Sequence, residues 1–390
     1  MKNLNIAIVG GGIGGLFAAH AALARGFRVA VYEQAPALGE VGAGVLLTPN
    51  SVRQLERCGL GEAVATYGAR IGPSSRYRRH DGAEIAPVQI TDSSGWNAVF
   101  GMHRADLVTL LSEALPRDII FTDHRCTGFE QDEHAARLRF QNGTTTEADL
   151  VIGADGIHSV LRDAVAPAST PVFSGSIAYR GVAPHALVPD FPQDAWQMWL
   201  GPGKHFLTFP LRAGSLVNFV GFVPADDAMR ESWSAPGDPD RLRAEFAGWD
   251  GCIERLLAHV KTTFRWALYD REPLPTWINA RLALLGDAAH PMLPHLGQGA
   301  NQSIEDGIAL ASLLADADDI GTALRLYDQL RRERVAGVQR GARQNGLRYD
   351  SSYSDLGLRD AEIKAHAAFR RTLYDYDVVR EVAALAPSTM

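Results

Sequence analysis

Gly10-Gly11-Gly12-Ile13-Gly14-Gly15 follows the apolar run Asn5 to Val9 and has the spacing G-x-G-x-x-G. In such a cluster Gly10 permits a tight turn, Gly12 lets backbone approach a pyrophosphate, and Gly15 allows a helix to pack closely. A helix starting here, with Gly14 in its first turn, points unpaired N–H groups at the anion. Glu33 closes the next strand, about twenty residues on, where a carboxylate accepts hydrogen bonds from both ribose hydroxyls, and Gln34 adjoins it. An acid at that place selects an unphosphorylated ribose, either that of NAD or that of the AMP half of FAD. An ordinary glycine-rich turn is the alternative.

Two further clusters follow strands. Asp155-Gly156-Ile157-His158-Ser159-Val160-Leu161-Arg162 comes after Leu150 to Ile152, and Gly286-Asp287-Ala288-Ala289-His290-Pro291 comes after Arg281 to Leu285. An aspartate at the carboxyl end of a parallel strand lies beside the crevice where such sheets bind ligands, and it can hold a polyol such as a ribityl chain. Asp287 stands at that position, unless Gly286-Asp287 is a simple strand-to-loop turn. A helix opening near Gly297 would aim backbone N–H groups at an anionic ring, and Gly299, Ala300 and Asn301 are the small or polar residues such an approach needs.

A fourth cluster has a different character. Trp196 to Trp199 and Lys204 to Pro210 read as two aromatic strands joined by Gly201-Pro202-Gly203, and alternation places His205, Leu207 and Phe209 on one face. One histidine among apolar side chains suits a planar aromatic substrate with one ionisable group. A satisfied core or surface histidine is the plain alternative.

The elements that must position these residues follow from periodicity. Asn5 to Val9, a helix over Leu16 to Arg25 and Arg28 to Tyr32 make a strand-helix-strand unit whose strands are apolar on both faces, as a buried parallel sheet requires. Asp81-Gly82 and Asn142-Gly143 signal hairpins. Short strands are expected at Ile119 to Phe121, Thr127 to Gln131, Ala136 to Phe140 and Glu147 to Ile152, and helices at His103 to Leu115, Gly297 to Ala315 and Ala323 to Asn345. The expected fold class is α/β: a Rossmann-like nucleotide-binding domain over residues 1–76, 98–168 and 267–345, an interleaved β-sheet substrate domain over 77–97 and 169–266, and a C-terminal helical region over 346–390.

Composition limits the function classes. The chain has 390 residues, 46% of them hydrophobic, and a formal net charge of -7, which disfavours nucleic acid as a partner because phosphate neutralisation needs a basic surface. Cys58, Cys126 and Cys252 are far apart and lack metal-ligand spacing, so neither a disulfide framework nor a metal site is expected. Gly10 to Gly15 interrupts the N-terminal apolar run before it could act as a signal-peptide core or a membrane span. A cytoplasmic protein, monomer or homodimer, is expected.

Taken in order, the three motifs resemble those of the class A, single-component FAD-dependent aromatic hydroxylases, over residues 1–350, and the pattern is most similar to salicylate hydroxylase and 6-hydroxynicotinate 3-monooxygenase. The resemblance implies that the glycines and Glu33 hold the ADP half of FAD, that Asp155 serves flavin and pyridine nucleotide, and that Asp287 binds the ribityl chain. Gly44 and Val45, in Glu40 to Val45, match the loop beside the flavin ring, and Cys126 falls where the family makes a backbone contact to adenine. Arg104 matches an arginine that approaches the cofactor. At a helix start it opposes the helix dipole, so an anionic partner would offset the cost; a surface arginine is the other reading. Pro294 and His295 would lie over the active face of the flavin, with Phe209 in the substrate pocket and His205 as the base near the substrate hydroxyl. Arg180 fits a dinucleotide phosphate, a carboxylate or a surface ion pair.

The implied activity is a monooxygenase in which NADH or NADPH reduces FAD, O2 forms a C4a-hydroperoxyflavin, and a small phenolic or hydroxypyridine-type ring, with a carboxylate nearby, is hydroxylated. Two departures make the pocket more apolar: Leu46 and Leu47 stand where hydroxynicotinate enzymes often carry a histidine, and Phe209 where a tyrosine occurs. An epoxidase or other non-phenolic monooxygenase, an NAD-dependent dehydrogenase and a non-catalytic binding module of the same fold are the competing readings.

Overall fold

The computed structural model describes residues 4–39, 44–225, 235–351 and 355–385. Two sheets organise it. The first has six strands in the order Ile278–Asn279, Leu282–Leu284, Leu150–Gly153, Asn5–Val9, Arg28–Tyr32 and Ile120–Phe121. All neighbours are parallel except the Ile278–Asn279 edge, with Ala7 opposite both Ala30 and Val151. The central strands are apolar on both faces because helices cover both, so Ile6, Ile8, Val31, Leu150 and Val151 are all buried.

The chain crosses from one sheet to another where the sequence suggested one continuous strand. Glu147 to Ile152 divides into Thr145–Ala148, the edge of a three-stranded antiparallel sheet, and Leu150–Gly153 of the parallel sheet. Asp149 marks the crossing: its N–H donates to Asn5 O at 2.9 Å and its carboxylate accepts from Asn5 N–H at 2.8 Å.

The second large sheet has eight strands, in the order Ala235–Gly237, Thr263–Asp270, Val172–Pro184, Leu216–Pro224, Lys204–Leu211, Gln197–Gly201, Arg76–Arg79 and Glu84–Pro87. It is antiparallel except where Gln197–Gly201 meets Arg76–Arg79. The last two strands come from the hairpin at Gly82, whose φ of 93° needs glycine, and the chain then leaves this sheet for Phe100–His103 and the helix Arg104–Glu113. The two sheets are therefore interleaved along the sequence.

Helices join them. Ile13–Leu23 packs against Gly299–Asp316 so closely that a Cβ on Gly307 would lie 3.0 Å from Ala18 Cα. The first of these starts at Ile13, three residues earlier than its alanine-rich stretch, because Gly14 and Gly15 are taken into the first turn. The second starts at Gly299, after Gly297 turns the chain with a φ of 64°. Ile320–Tyr349, capped by the Asp319 carboxylate, then runs for 30 residues, and Leu356–Asp375 and Val378–Leu385 complete the C-terminal region.

Candidate active site

The groove begins at the carboxyl ends of the parallel strands. Gly10, at φ 114°, follows Asn5–Val9; a Cβ there would meet Ala154 O at 2.2 Å, and one on Gly15 would meet Gly10 O at 2.0 Å. These two glycines pack strand, turn and helix together. Gly12 differs, because a Cβ there would meet nothing within 4 Å, and the helix Ile13–Leu23 carries no capping side chain. Free N–H groups therefore open onto vacant space lined by glycine, which is a cradle for a diphosphate.

Glu33 stands across from it. Its Oε2 accepts from Gly11 N–H at 2.7 Å and its Oε1 from Ala35 N–H at 2.8 Å, so the carboxylate is fixed with one lone pair left on each oxygen for a diol. Gln34, Cys126 and Asp155 line the same groove of about 450 Å³. Asp155 Oδ2 accepts from Val160 N–H at 2.9 Å, while Oδ1 is buried and has no partner. Burial raises the Asp155 carboxyl above its ordinary range, against its hydrogen bonds to the 159–161 turn. Cys126 is buried and its thiol is pushed up to about 11 by burial, so it is unreactive as a nucleophile.

Gly12, Arg104, Gly156 and Asp287 border both this groove and a second cavity of about 310 Å³. Burial raises the Asp287 carboxyl, with His290 and Arg104 pulling the other way, and burial lowers Arg104 against the pull of Asp287. A carboxylate and a guanidinium thus face each other at the junction, where a polyol chain and an anionic diphosphate would meet. Gly299 and Ala300 open the helix at the cavity floor with no acidic residue in the first turn, while Gly44 and Val45 form one wall. A Cβ on Gly44 would strike the Phe209 ring at 2.5 Å, so glycine lets the strand Gly44–Leu47 lie close against the eight-stranded sheet. The earlier half of that loop, Glu40 to Ala43, lies outside the described residues. The glycine cradle, the unpartnered Asp155 oxygen and the Asp287 carboxylate fit FAD.

Apart from Arg180, the sheet side of the cavity is largely apolar. Leu207, Phe209, Val220 and Phe222 line it, with Pro294 from the turn Pro294–Leu296. A profile of the FAD binding domain family matches residues 3–343. Salicylate hydroxylase of Pseudomonas putida is 36% identical, over 98% of this chain and 96% of its own. The chain belongs to the FAD-dependent aromatic hydroxylases. Among other relatives, a 3-amino-4-hydroxybenzoate 2-monooxygenase of Streptomyces platensis is 40% identical over 87% of each chain. A salicylate hydroxylase solved as a substrate complex superposes with a TM-score of 0.84 at 30% identity, covering 100% of both chains.

In this hydroxylase the expected site residues do not all reach the cavity. Asn301 is fully buried, but its side chain accepts from Thr48 N–H at 2.9 Å and donates to Leu46 O at 2.9 Å, so only its backbone N–H belongs to the helix opening. It braces the flavin-side strand and does not present an amide to the ring. His205 is 0% exposed and is not among the lining residues. It shares the face of Leu207 and Phe209, as alternation requires, but stacks behind Phe222 at 4.0 Å between ring centroids, and its Nδ1 lies 2.6 Å from Asp350 Oδ1. Its Nε2 is buried without a partner. His295 is likewise behind the wall, with its ring 5.3 Å from those of His205 and Phe222, while Pro294 beside it lines the cavity.

Arg180 is no surface ion pair. It is 2% exposed, lines the cavity from Val172–Pro184, and is lowered to about 10 by burial with Arg104 adding repulsion. Trp266 and Tyr269 also line the cavity and were absent from the sequence-derived site. Their strand shifts register against Val172–Pro184 between Phe173 and Ile177. The aromatic run Phe264 to Tyr269 was the available signal. Among the described residues no helix is long and apolar enough to cross a membrane.

Proposed function

We propose that this FAD-dependent aromatic hydroxylase acts on a small phenol or hydroxypyridine bearing a carboxylate, consuming NADH or NADPH and O2. The supporting observation is the pairing of flat apolar walls with one buried cation on the sheet side. Leu207, Phe209, Val220 and Phe222 favour a planar ring, and the Arg180 guanidinium, buried in the cavity wall, places positive charge beside it, which favours an anionic substituent. Bound FAD supplies the chemistry that reduces O2 with NAD(P)H and transfers one oxygen atom to the ring. The overall balance is substrate, O2, NAD(P)H and a proton giving hydroxylated substrate, NAD(P)⁺ and water.

The chain supplies binding, exclusion of water and proton handling. Glu33 holds the ribose, Arg104 the diphosphate and Asp287 the ribityl hydroxyls, while Gly299 and Ala300 bring backbone N–H groups to the ring. His205 is the candidate base for the substrate hydroxyl. With Nδ1–H donated to Asp350, Nε2 is left as an acceptor, which is the arrangement a general base needs. Phe222 covers it, so the substrate must move that ring to be within reach. Three free cysteines suit a reducing, cytoplasmic setting.

The test follows NADH and NADPH oxidation and O2 uptake with hydroxybenzoates, hydroxynicotinates and the same phenols lacking the carboxylate. Stimulation by the acids, lost in Arg180→Met through a KM raised about tenfold or more, supports the reading. Phenols that work as well as their acids would remove the anion from the substrate class.

A further inference from the structure

Glu305 is completely buried in the helix Gly299–Asp316, yet donors from four residues meet it: Arg331 Nη1 at 2.6 Å, Arg334 Nε at 3.2 Å and Nη2 at 3.3 Å, Asn50 Nδ2 at 2.6 Å and Gln302 Nε2 at 3.1 Å. Asp306 beside it accepts from Arg331 Nε at 2.8 Å, His290 Nε2 at 2.6 Å and Gly286 N–H at 3.1 Å. Desolvation offsets most of the attraction in such a cluster, so its value lies in fixing one arrangement of the segments it joins.

Those segments are the two sides of the cofactor site. Asn50 accepts from Thr48 Oγ1 at 2.6 Å, Thr48 N–H is held by Asn301, and Asn301 holds Leu46 O, in the strand Gly44–Leu47 that borders the cavity. On the other side Gly286 precedes Asp287. The outer end of the cluster is the C-terminal tail, beyond residue 343 where the family match stops. The Arg334 guanidinium lies 3.3 Å from the Tyr376 ring centroid, and Arg53 donates to Tyr376 O at 3.2 Å. Asp377 accepts from Arg57 Nη1 at 2.5 Å and Nη2 at 2.7 Å.

We propose that Tyr376 is a positioning residue for FAD: it holds Arg334 on Glu305 and thereby, through Asn50 and Thr48, fixes the strand Gly44–Leu47 beside the cofactor. The tail thus sets cofactor affinity from outside the groove. Without the aromatic ring, Arg334, whose side chain is already 18% exposed, turns to solvent. Glu305 then keeps one cation, and Asn50 is less firmly held.

The experiment titrates full-length apoprotein with FAD, reading quenching of flavin fluorescence, and measures the melting temperature of each apoprotein. Tyr376→Leu is expected to raise the Kd for FAD about tenfold, with Tyr376→Phe, which keeps the ring over Arg334, within about twofold of the parent. Combining Tyr376→Leu with Glu305→Gln should weaken binding by less than the product of the two separate effects; Arg334→Met replaces Glu305→Gln if that variant does not fold. An unchanged Kd in Tyr376→Leu, equal loss in the Leu and Phe variants, multiplicative effects, or a lower melting temperature with FAD affinity intact would each overturn the proposal. None of these readouts involves substrate, so the substrate class can fail separately.

Discussion

His205 Nδ1 lies 2.6 Å from Asp350 Oδ1, which joins an imidazole with no exposed surface to a carboxylate near solvent at the end of a 30-residue helix. If His205 takes the substrate proton as proposed, the imidazolium formed would be neutralised by that partner, and Asp350→Asn would take the counter-charge away. The hydroxylation step in Asp350→Asn should slow about tenfold to a hundredfold, with NAD(P)H-driven flavin reduction unchanged. Stopped-flow separation of the two half-reactions decides it. An equal loss in both, in Asp350→Asn or His205→Ala, would reduce the pair to packing.

The glycines of the first turn should respond in opposite ways. Gly15→Ala drives a methyl into Gly10 O and should lower the melting temperature of apoprotein and holoprotein alike. Gly12→Ala meets open space, so the apoprotein should melt within a few degrees of the parent while FAD binding falls at least tenfold. Unchanged FAD affinity in Gly12→Ala would move the diphosphate away from this turn.

Asp287→Ala removes the carboxylate at the junction of the two cavities. Protein carrying it should purify colourless or with substoichiometric flavin, as the ratio of visible to ultraviolet absorbance reports. Full flavin retention would take the ribityl chain off Asp287.

Acid should destabilise the fold in a definite window. Burial, with His205 adding repulsion, holds the His295 imidazole well below its ordinary range, and burial with Arg348 and Arg370 lowers His366 to about 4. Both stay neutral in the folded protein while the unfolded chain takes up protons below a pH of about 6.5. Their contribution is complete above that pH and is lost as pH falls toward the folded values, at up to ~1.4 kcal/mol per pH unit for His295. Urea unfolding at pH 7, 6 and 5 should therefore show a decline that His295→Gln and His366→Gln make shallower. Curves for these variants that parallel the parent would place the loss elsewhere.

The nucleotide half of the groove was legible because its constraints are local. Gly10, Gly12 and Gly15 are required by backbone geometry within one turn, and Glu33 and Asp287 stand at strand ends that apolar runs announce. The substrate half was read less completely. Alternation put His205 on the correct face but could not show that the far end of that face is covered by the helix ending in Tyr349 and Asp350, distant in sequence. Asn301 has the right residue type at the helix opening, yet its amide is taken by a strand some 250 residues earlier. The buried cluster had one visible sign, the adjacent acids Glu305-Asp306 ahead of an apolar helical stretch, but its cations come from Arg331 and Arg334 on the next helix.

Interleaving of the two sheets has a consequence for synthesis. The cradle at Gly10 to Gly15 leaves the ribosome first, but Asp287 borders its groove, and the helix Gly299–Asp316, which packs against Ile13–Leu23, lines the adjoining cavity. A nascent chain must carry an unfinished parallel sheet, with apolar Leu150–Gly153 lacking its Leu282–Leu284 neighbour, while more than a hundred further residues are made. The complete groove can therefore form only after most of the chain has been made, as is typical of folds built from long-range pairings.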